Sequence, residues 1–474
     1  MNPQDTIRRP HVSDSVASVW LRFVVAYMLL NLPSWVLGHW FYINRPVFDV
    51  ELVLPLLLAP LSTPLALMAL VVNWLLDVAV SQSRSYHFSS PLEFVRSAQF
   101  LTSVQLRNFV TLHNLALAVP FVASAAAALQ CAPRRRVPWV PALVAVLFLC
   151  VMDVGNGSSM LSNRASRLIS TNIAGSPVTT LVVRAWEERH VQPLARLPEG
   201  ASAVGRSGLF AWTQAHPDAS ALLVVVESMG YHHDERIRAW LRSQLFDTSL
   251  DQRYILHEDA IPFLGSTTSA ELRELCGLTG SYRSLDANAG RLCLPSRLLQ
   301  QGWQVSGVHG FSGHMFDRIE WWPLTGLQET LFAEDLLSPA EPRCGGAFAG
   351  VCDADLIRTA ISRLAKGHSF AYALTLNSHL PLARVTVPQE LQTLCLEADI
   401  PNDTCMLTAT IGQALAALKK GLQQYDGPIA VVVVGDHAPP IGGLHERLDY
   451  DQHKVPALAV FPRVVSTQAS SPQP

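Results

Sequence analysis

Four long apolar runs crowd the chain ahead of residue 155: Val19–Phe41, Leu52–Val80, Phe109–Leu129 and Val137–Met152. A helix needs roughly 20 apolar residues to cross a bilayer. Any one such run could be the core helix of a soluble protein, but four in succession are expected to be membrane helices. The first run is too long for a signal-peptide core and lacks a small-x-small cleavage site, so it is expected to remain as an anchor. The sequence of 474 residues is 49% hydrophobic and only 15% charged, in keeping with that division. Its net charge of −3 gives no basis for nucleic-acid binding.

Basic residues set the expected topology. Arg8 and Arg9 precede the first run, and Arg134–Arg136 precede the last. Both clusters belong on the cytoplasmic side, so an even number of crossings separates them, yet three runs lie between. Leu52–Val80 contains Pro55, Pro60 and Pro64 and could form two short tilted helices. Four or five helices then make a transmembrane domain over residues 1–155, and five crossings put the rest of the chain outside.

The cysteines agree with an exported location. Of eight, Cys131 and Cys150 lie in or beside the apolar runs, and the other six come after residue 219: Cys276, Cys293, Cys344, Cys352, Cys395 and Cys405. An even count in an exported domain points to disulfides, for which six cysteines allow 15 pairings. Pairing of sequence neighbours, 276–293, 344–352 and 395–405, is the expectation. A cysteine-rich zinc site is the rival, but no C-x-x-C spacing is present.

Residues 156–218 read as a linker: Gly155–Arg167 is rich in Ser, Asn and Gly, and Leu181–Val191 could be a short helix near the membrane. The polar, partly amphipathic Ser81–Asn108 is expected at an interface. The tail, 465–474, is Ser/Gln/Pro-rich and expected to be disordered. Over 219–464, short apolar runs alternate with helical stretches. Ala221–Val226, Trp303–Val308, Phe370–Leu376 and Ile429–Val434 read as strands buried on both faces, and Pro295–Gln301, Ala354–Ala365 and Met406–Gln423 as helices. That alternation predicts an α/β domain with a largely parallel central sheet flanked by helices.

The chemistry lies at the strand ends. The four runs lead into Glu227, His309, Asn377-Ser378-His379 and Gly435-Asp436-His437. Ligands of open α/β sheets bind outside the carboxyl ends of the strands, so one sheet edge would collect two acids and three histidines. A lone acid after a strand is usually a turn or cap residue, but four such endings in register are hard to produce by accident. Glu227, Asp436 and His437 form a mixed oxygen/nitrogen set suited to one divalent metal, Mn²⁺ or Zn²⁺. A hydroxyl is offered by Gly265-Ser266-Thr267-Thr268-Ser269-Ala270-Glu271-Leu272, where a helix start favours an anion. Taken alone, that segment is equally a helix cap with a capping-box Glu.

Together these segments, VVVESMG, GSTTSAELREL, VHGFSGHMFDR, TLNSHLPL and VVVVGDHAPP, resemble the alkaline phosphatase/sulfatase superfamily. Within it they are most similar to lipoteichoic acid synthases and related phosphoglycerol and phosphoethanolamine transferases, which also carry about five membrane helices ahead of an exported catalytic domain. The resemblance covers most of 221–462 in motif order and the membrane part in layout only. It implies Glu227, Asp436 and His437 as metal ligands and Thr267 as metal-bound nucleophile, with Thr268 the fallback if the register slips by one. It implies substrate contacts from His309, Phe316, Arg318 and His379, with His453 lining the site. Phe316 stands where the synthases have Trp, which leaves the headgroup open, and the six cysteines resemble the phosphoethanolamine branch more. The implied reaction takes a headgroup from a membrane phospholipid donor to a cell-envelope glycan acceptor through a phospho-threonine. It implies a multi-pass protein of the bacterial inner (plasma) membrane with its catalytic domain periplasmic or extracellular.

Two rivals stand beside this reading. Cys293-Leu294-Pro295-Ser296-Arg297 fits the C-x-P-x-R pattern that sulfatases mature to formylglycine. Against it, this segment runs directly into the strand ending at His309, and Glu227-Ser228 replaces the paired aspartates usual in sulfatases. A non-catalytic binding protein on the same fold is the second rival, disfavoured by the presence of every metal-site residue type together with Thr267.

Overall fold

The structure is a computed structural model and describes residues 15–40, 46–88, 90–103, 112–133, 137–155, 174–190, 194–338, 340–364, 367–441 and 447–463. The Arg8–Arg9 and Arg134–Arg136 clusters, the start of the third apolar run, the linker over 156–167, residue 365 and the tail lie outside the described residues. The chain divides into two compact units, one of residues 1–81 with 112–183 and one of residues 82–111 with 184–474.

In the first unit, Val16–Val36 and Thr63–Ser85 are helical segments long and apolar enough to cross a membrane, and Ala118–Cys131 and Trp139–Met152 are shorter apolar helices. The proline-rich run breaks unequally rather than into two short helices. A six-residue helix, Val53–Leu58, precedes the 23-residue helix Thr63–Ser85. Pro64 falls in the first turn of the longer helix, where a missing N–H costs nothing, so the helix runs on uninterrupted. Phe23, Leu30, Leu56 and Leu70 form a small core, while Leu21, Met68 and Leu75 on the same helices are exposed.

The second unit is built on a seven-stranded sheet. In chain order its strands are β1 (Ser220–Val226), β2 (Tyr254–Pro262), β3 (Gln304–His309), β4 (Glu329–Leu331), β5 (Ser369–Leu374), β6 (Ile429–Gly435) and β7 (Lys454–Pro462), and their spatial order is β2-β7-β6-β1-β5-β3-β4. Pairings are parallel from β6 through β4, and β7 is antiparallel to both its neighbours. Every strand but β7 therefore points the same way, and the sheet is mixed. The four central strands, β6, β1, β5 and β3, are the four apolar runs of the sequence, buried almost throughout. The carboxyl ends lie level, with Gly435 beside Val226, Val225 beside Leu374, and Leu374 beside His309. The edge strand β2 carries Glu258 and Asp259 and buries few of its residues, so no apolar run announces it.

The helix Thr267–Cys276 comes after β2 and ends at Gly277, whose φ of 63° forms the left-handed cap. It is buried on nearly every side, acids included. Glu271 accepts from Arg318 Nη2 at 2.9 Å, Trp322 Nε1 at 2.9 Å and Tyr372 OH at 3.4 Å, which satisfies a carboxylate with no exposed surface. The three expected disulfides, 276–293, 344–352 and 395–405, are formed.

Removing one partner of such a buried ion pair strands the other charge, at roughly 3–5 kcal/mol. Glu271→Ala is therefore expected to lower the thermal unfolding midpoint of the second unit by about 10 °C. A change below about 2 °C in a melting experiment contradicts this account of the core.

Candidate metal centre and nucleophile

Parallel strands β1 and β6 are neighbours, so their ends deliver Glu227 and Asp436-His437 to one point. β2 runs the same way, and the loop after it brings in Thr267. The Thr267 hydroxyl lies 3.2 Å from Glu227 Oε2, 2.9 Å from Asp436 Oδ2 and 3.4 Å from His437 Nε2. The candidate ligand atoms of Glu227, Asp436 and His437 all lie within 4.8 Å of one another, and all three residues are buried. Thr267 itself is half-buried and reachable.

The electrostatics fit a cation. Burial, with the Glu227 carboxylate alongside, pushes the Asp436 carboxyl up to about 7. Burial alone works to lower His437, but the Asp436 and Glu227 carboxylates together raise it above its ordinary value. His437 Nδ1 lies 2.9 Å from the Ala438 carbonyl. A carbonyl only accepts, so Nδ1 carries the hydrogen and the Nε2 lone pair faces Thr267, the tautomer a metal ligand requires. Two carboxylates, an imidazole nitrogen and a hydroxyl suit Mn²⁺ or Zn²⁺.

Neighbouring residues hold this set in place. Asp436 Oδ1 accepts from the backbone N–H of Ser228 at 2.8 Å and of His437 at 2.7 Å. Ser228, in the left-handed region at φ 56°, also donates to Glu227 Oε1 at 3.0 Å. Arg273, two turns along the Thr267 helix, donates to the carbonyls of Gly435 at 2.9 Å and Asp436 at 3.4 Å, and pairs with buried Glu274 at 2.6 Å. The helix that presents the hydroxyl thus also clamps the loop that presents the ligands.

The remaining expected residues divide. His379 and Phe316 line a cavity of about 500 Å³ together with Thr267 and His437. Burial lowers His379 to about 4, and its Nδ1 lies 2.7 Å from the Leu380 carbonyl. His309 is buried with Nδ1 3.0 Å from the Leu374 carbonyl; burial, then the Arg318 cation, hold it well below its usual value. Both rings are thus neutral with a free Nε2 lone pair. Arg318 is buried in its pair with Glu271. Thr268 is buried and faces Ser266 Oγ at 3.4 Å, whereas the Thr267 hydroxyl faces the candidate ligands. His453 is exposed, and its backbone carbonyl accepts from Phe263 N at 3.0 Å. Cys293 is bonded to Cys276, which removes it as a formylglycine precursor.

Sequence reasoning missed Ser228, Arg273 and above all His87. Residues 82–111, part of the stretch expected at an interface, fall in the second unit. His87 Nε2 lies 3.1 Å from the Ala438 carbonyl, and its ring sits 5.4 Å from that of His437. No spacing signals this, because the partners are 351 residues apart.

No protein-family model matches the chain, and neither does any curated sequence. Solved structures do match. A protein of the alkaline phosphatase superfamily from Vibrio parahaemolyticus aligns at TM-score 0.37 and 16% identity over 52% of this chain. The lipoteichoic acid synthase LtaP from Listeria monocytogenes aligns at 0.36 and 14% over 52%. The Streptococcus pyogenes phosphoglycerol transferase GacH, in complex with sn-glycerol-1-phosphate, aligns at 0.37 and 13% over 57%. The match spans 60%, 66% and 78% of those chains respectively. At this similarity the functional reading rests on the geometry of the four side chains.

Protons and a metal compete for Asp436 and His437. With Asp436 at about 7 in the metal-free protein, Mn²⁺ affinity is expected to rise about tenfold or more per pH unit from pH 5.5 to 7 and then to flatten. Chelator competition across that range checks it; an affinity independent of pH contradicts the assignment of Asp436 as a ligand.

Proposed function

We propose that this protein is a membrane-anchored, metal-dependent transferase that moves a phosphoglycerol or phosphoethanolamine group from a phospholipid to a cell-envelope glycan through a phospho-threonine at Thr267. The carrying observation is the Thr267 hydroxyl within 3.4 Å of three buried candidate ligands at the start of a helix. The motif resemblance supports the substrate class. The two long apolar helices, with much of their surface exposed, support the anchor, since a soluble core helix buries its apolar faces.

A divalent cation held by Glu227, Asp436, His437 and Thr267 supplies Lewis acidity that favours the ionised hydroxyl and offsets phosphate charge. In the first step a bond forms between Thr267 Oγ1 and phosphorus as the bond from phosphorus to the diacylglycerol oxygen breaks. The threonine proton is lost to solvent as the oxygen attacks, and the diacylglycerol oxygen takes a proton from solvent. In the second step an acceptor hydroxyl attacks phosphorus, the bond to Oγ1 breaks, and Thr267 regains a proton. Nε2 of His379, which lines the cavity with Thr267, takes the proton of that attacking hydroxyl.

Incubating the full-length protein with mixed phospholipids and mapping adducts by peptide mass spectrometry tests the reading. The expected result is an adduct on Thr267, its mass distinguishing phosphoglycerol from phosphoethanolamine. Thr267→Ala is expected to remove the adduct and lower transfer on the order of 10⁴-fold or more. Transfer that survives in Thr267→Ala overturns the proposal.

A further inference from the structure

The cavity above Thr267 is chemically one-sided. It is lined by Thr267, His379 and His437 and by five phenylalanines, with Gln82, Tyr86, Ser97 and Ser266 adding polar atoms; among the described residues no Asp, Glu, Lys or Arg lines it. One wall comes from a segment outside the chain's main catalytic stretch, through Phe88, Phe94, Val95 and Phe100. Phe316, Met315 and Phe348 line it as well. Phe88 lies 5.4 Å from Phe94 and 6.2 Å from Phe316, and Phe100 lies 5.6 Å from Phe316, so these rings form one aromatic cluster. Phe316 holds a left-handed φ of 55°, costly for a bulky residue. Val95 is exposed beside the cavity.

We propose that this cavity is the subsite for the apolar, leaving side of the donor, so that residues 88–100 select amphiphilic phosphodiesters over water-soluble ones. The inference rests on Thr267 being the nucleophile. The occupant must present a phosphodiester to Thr267 and apolar surface to the phenylalanines. A volume of about 500 Å³ falls in the range of ligand sites; it holds a headgroup and the start of a chain, not a whole lipid. A glycan acceptor fits the walls poorly, because its many hydroxyls would be desolvated against phenyl rings with few partners. Chain order agrees: the apolar helix Thr63–Ser85 leads directly into this wall.

The test uses glycerol phosphodiesters and ethanolamine phosphodiesters of n-alkanols from two to eight carbons, below their micellar concentrations, with the full-length protein. Within each series the adduct on Thr267 is the same for every donor, and only the released alkanol differs. The second-order rate of adduct formation is expected to rise roughly two- to fourfold per methylene until the cavity is filled. Phe94→Ser and, separately, the exposed-site variant Val95→Ser are expected to reduce the octyl-to-ethyl rate ratio, Phe94→Ser by tenfold or more. Leu396→Ser, on the distant helix Gln389–Glu397, is expected to leave the ratio unchanged. Adduct formation with a flat chain-length profile, or a steep profile that both wall variants retain, overturns the subsite while leaving the nucleophile intact. Absence of adduct from every donor in both series overturns the nucleophile and the subsite together.

Discussion

Two carboxylates and an imidazole face one hydroxyl at the sheet edge, and the elements of the second unit that surround them are held to that conflict. Glu227 and Asp436 end adjacent parallel strands, so in-register pairing forces them together. Left alone they repel, and burial together with the Glu227 carboxylate raises the Asp436 carboxyl. Backbone donors from Ser228 and His437 and the Arg273 guanidinium behind Gly435 and Asp436 hold the arrangement. A divalent cation held there would offset that repulsion. Stability and chemistry share one element here, because the Thr267 helix contributes the hydroxyl, the Arg273 clamp and the Glu271 anchor of the core.

Much of this was legible in the sequence. β1, β3, β5 and β6 announce themselves as unbroken apolar runs because they are buried on both faces, and the residues after them could be placed on one edge. The disulfide pairs also came from the neighbouring positions of the six cysteines after residue 219. Residues outside those runs were less legible. The edge strand β2 is half polar, and Arg318 gives no sign in sequence that Glu271 takes its charge. His87 reaches the site from far upstream, and hydrophobic patterning reports local periodicity, not tertiary partners of that separation.

Among the described residues, four of six non-glycine residues with positive φ lie at or beside the site, and His368 and Asp399 lie elsewhere. His87, Ser228, Phe316 and Asp317 all hold left-handed φ angles, each a conformation that ordinary residues avoid. Ser228 thereby turns its N–H toward Asp436, and Phe316 meets Phe88 and Phe100 in the cavity. Asp317 is held by Tyr282 OH at 3.2 Å and Arg283 at 2.7 Å. Such strain persists where surrounding contacts over-determine it, and here those contacts serve the site.

Anomalous diffraction from crystals grown with Mn²⁺ tests the central claim most directly. The account predicts a single strong peak bounded by Glu227, Asp436 and His437, about 2.0–2.3 Å from His437 Nε2 and from Thr267 Oγ1. A peak that lies elsewhere, or one coordinated by the three side chains with the Thr267 oxygen turned away, contradicts it.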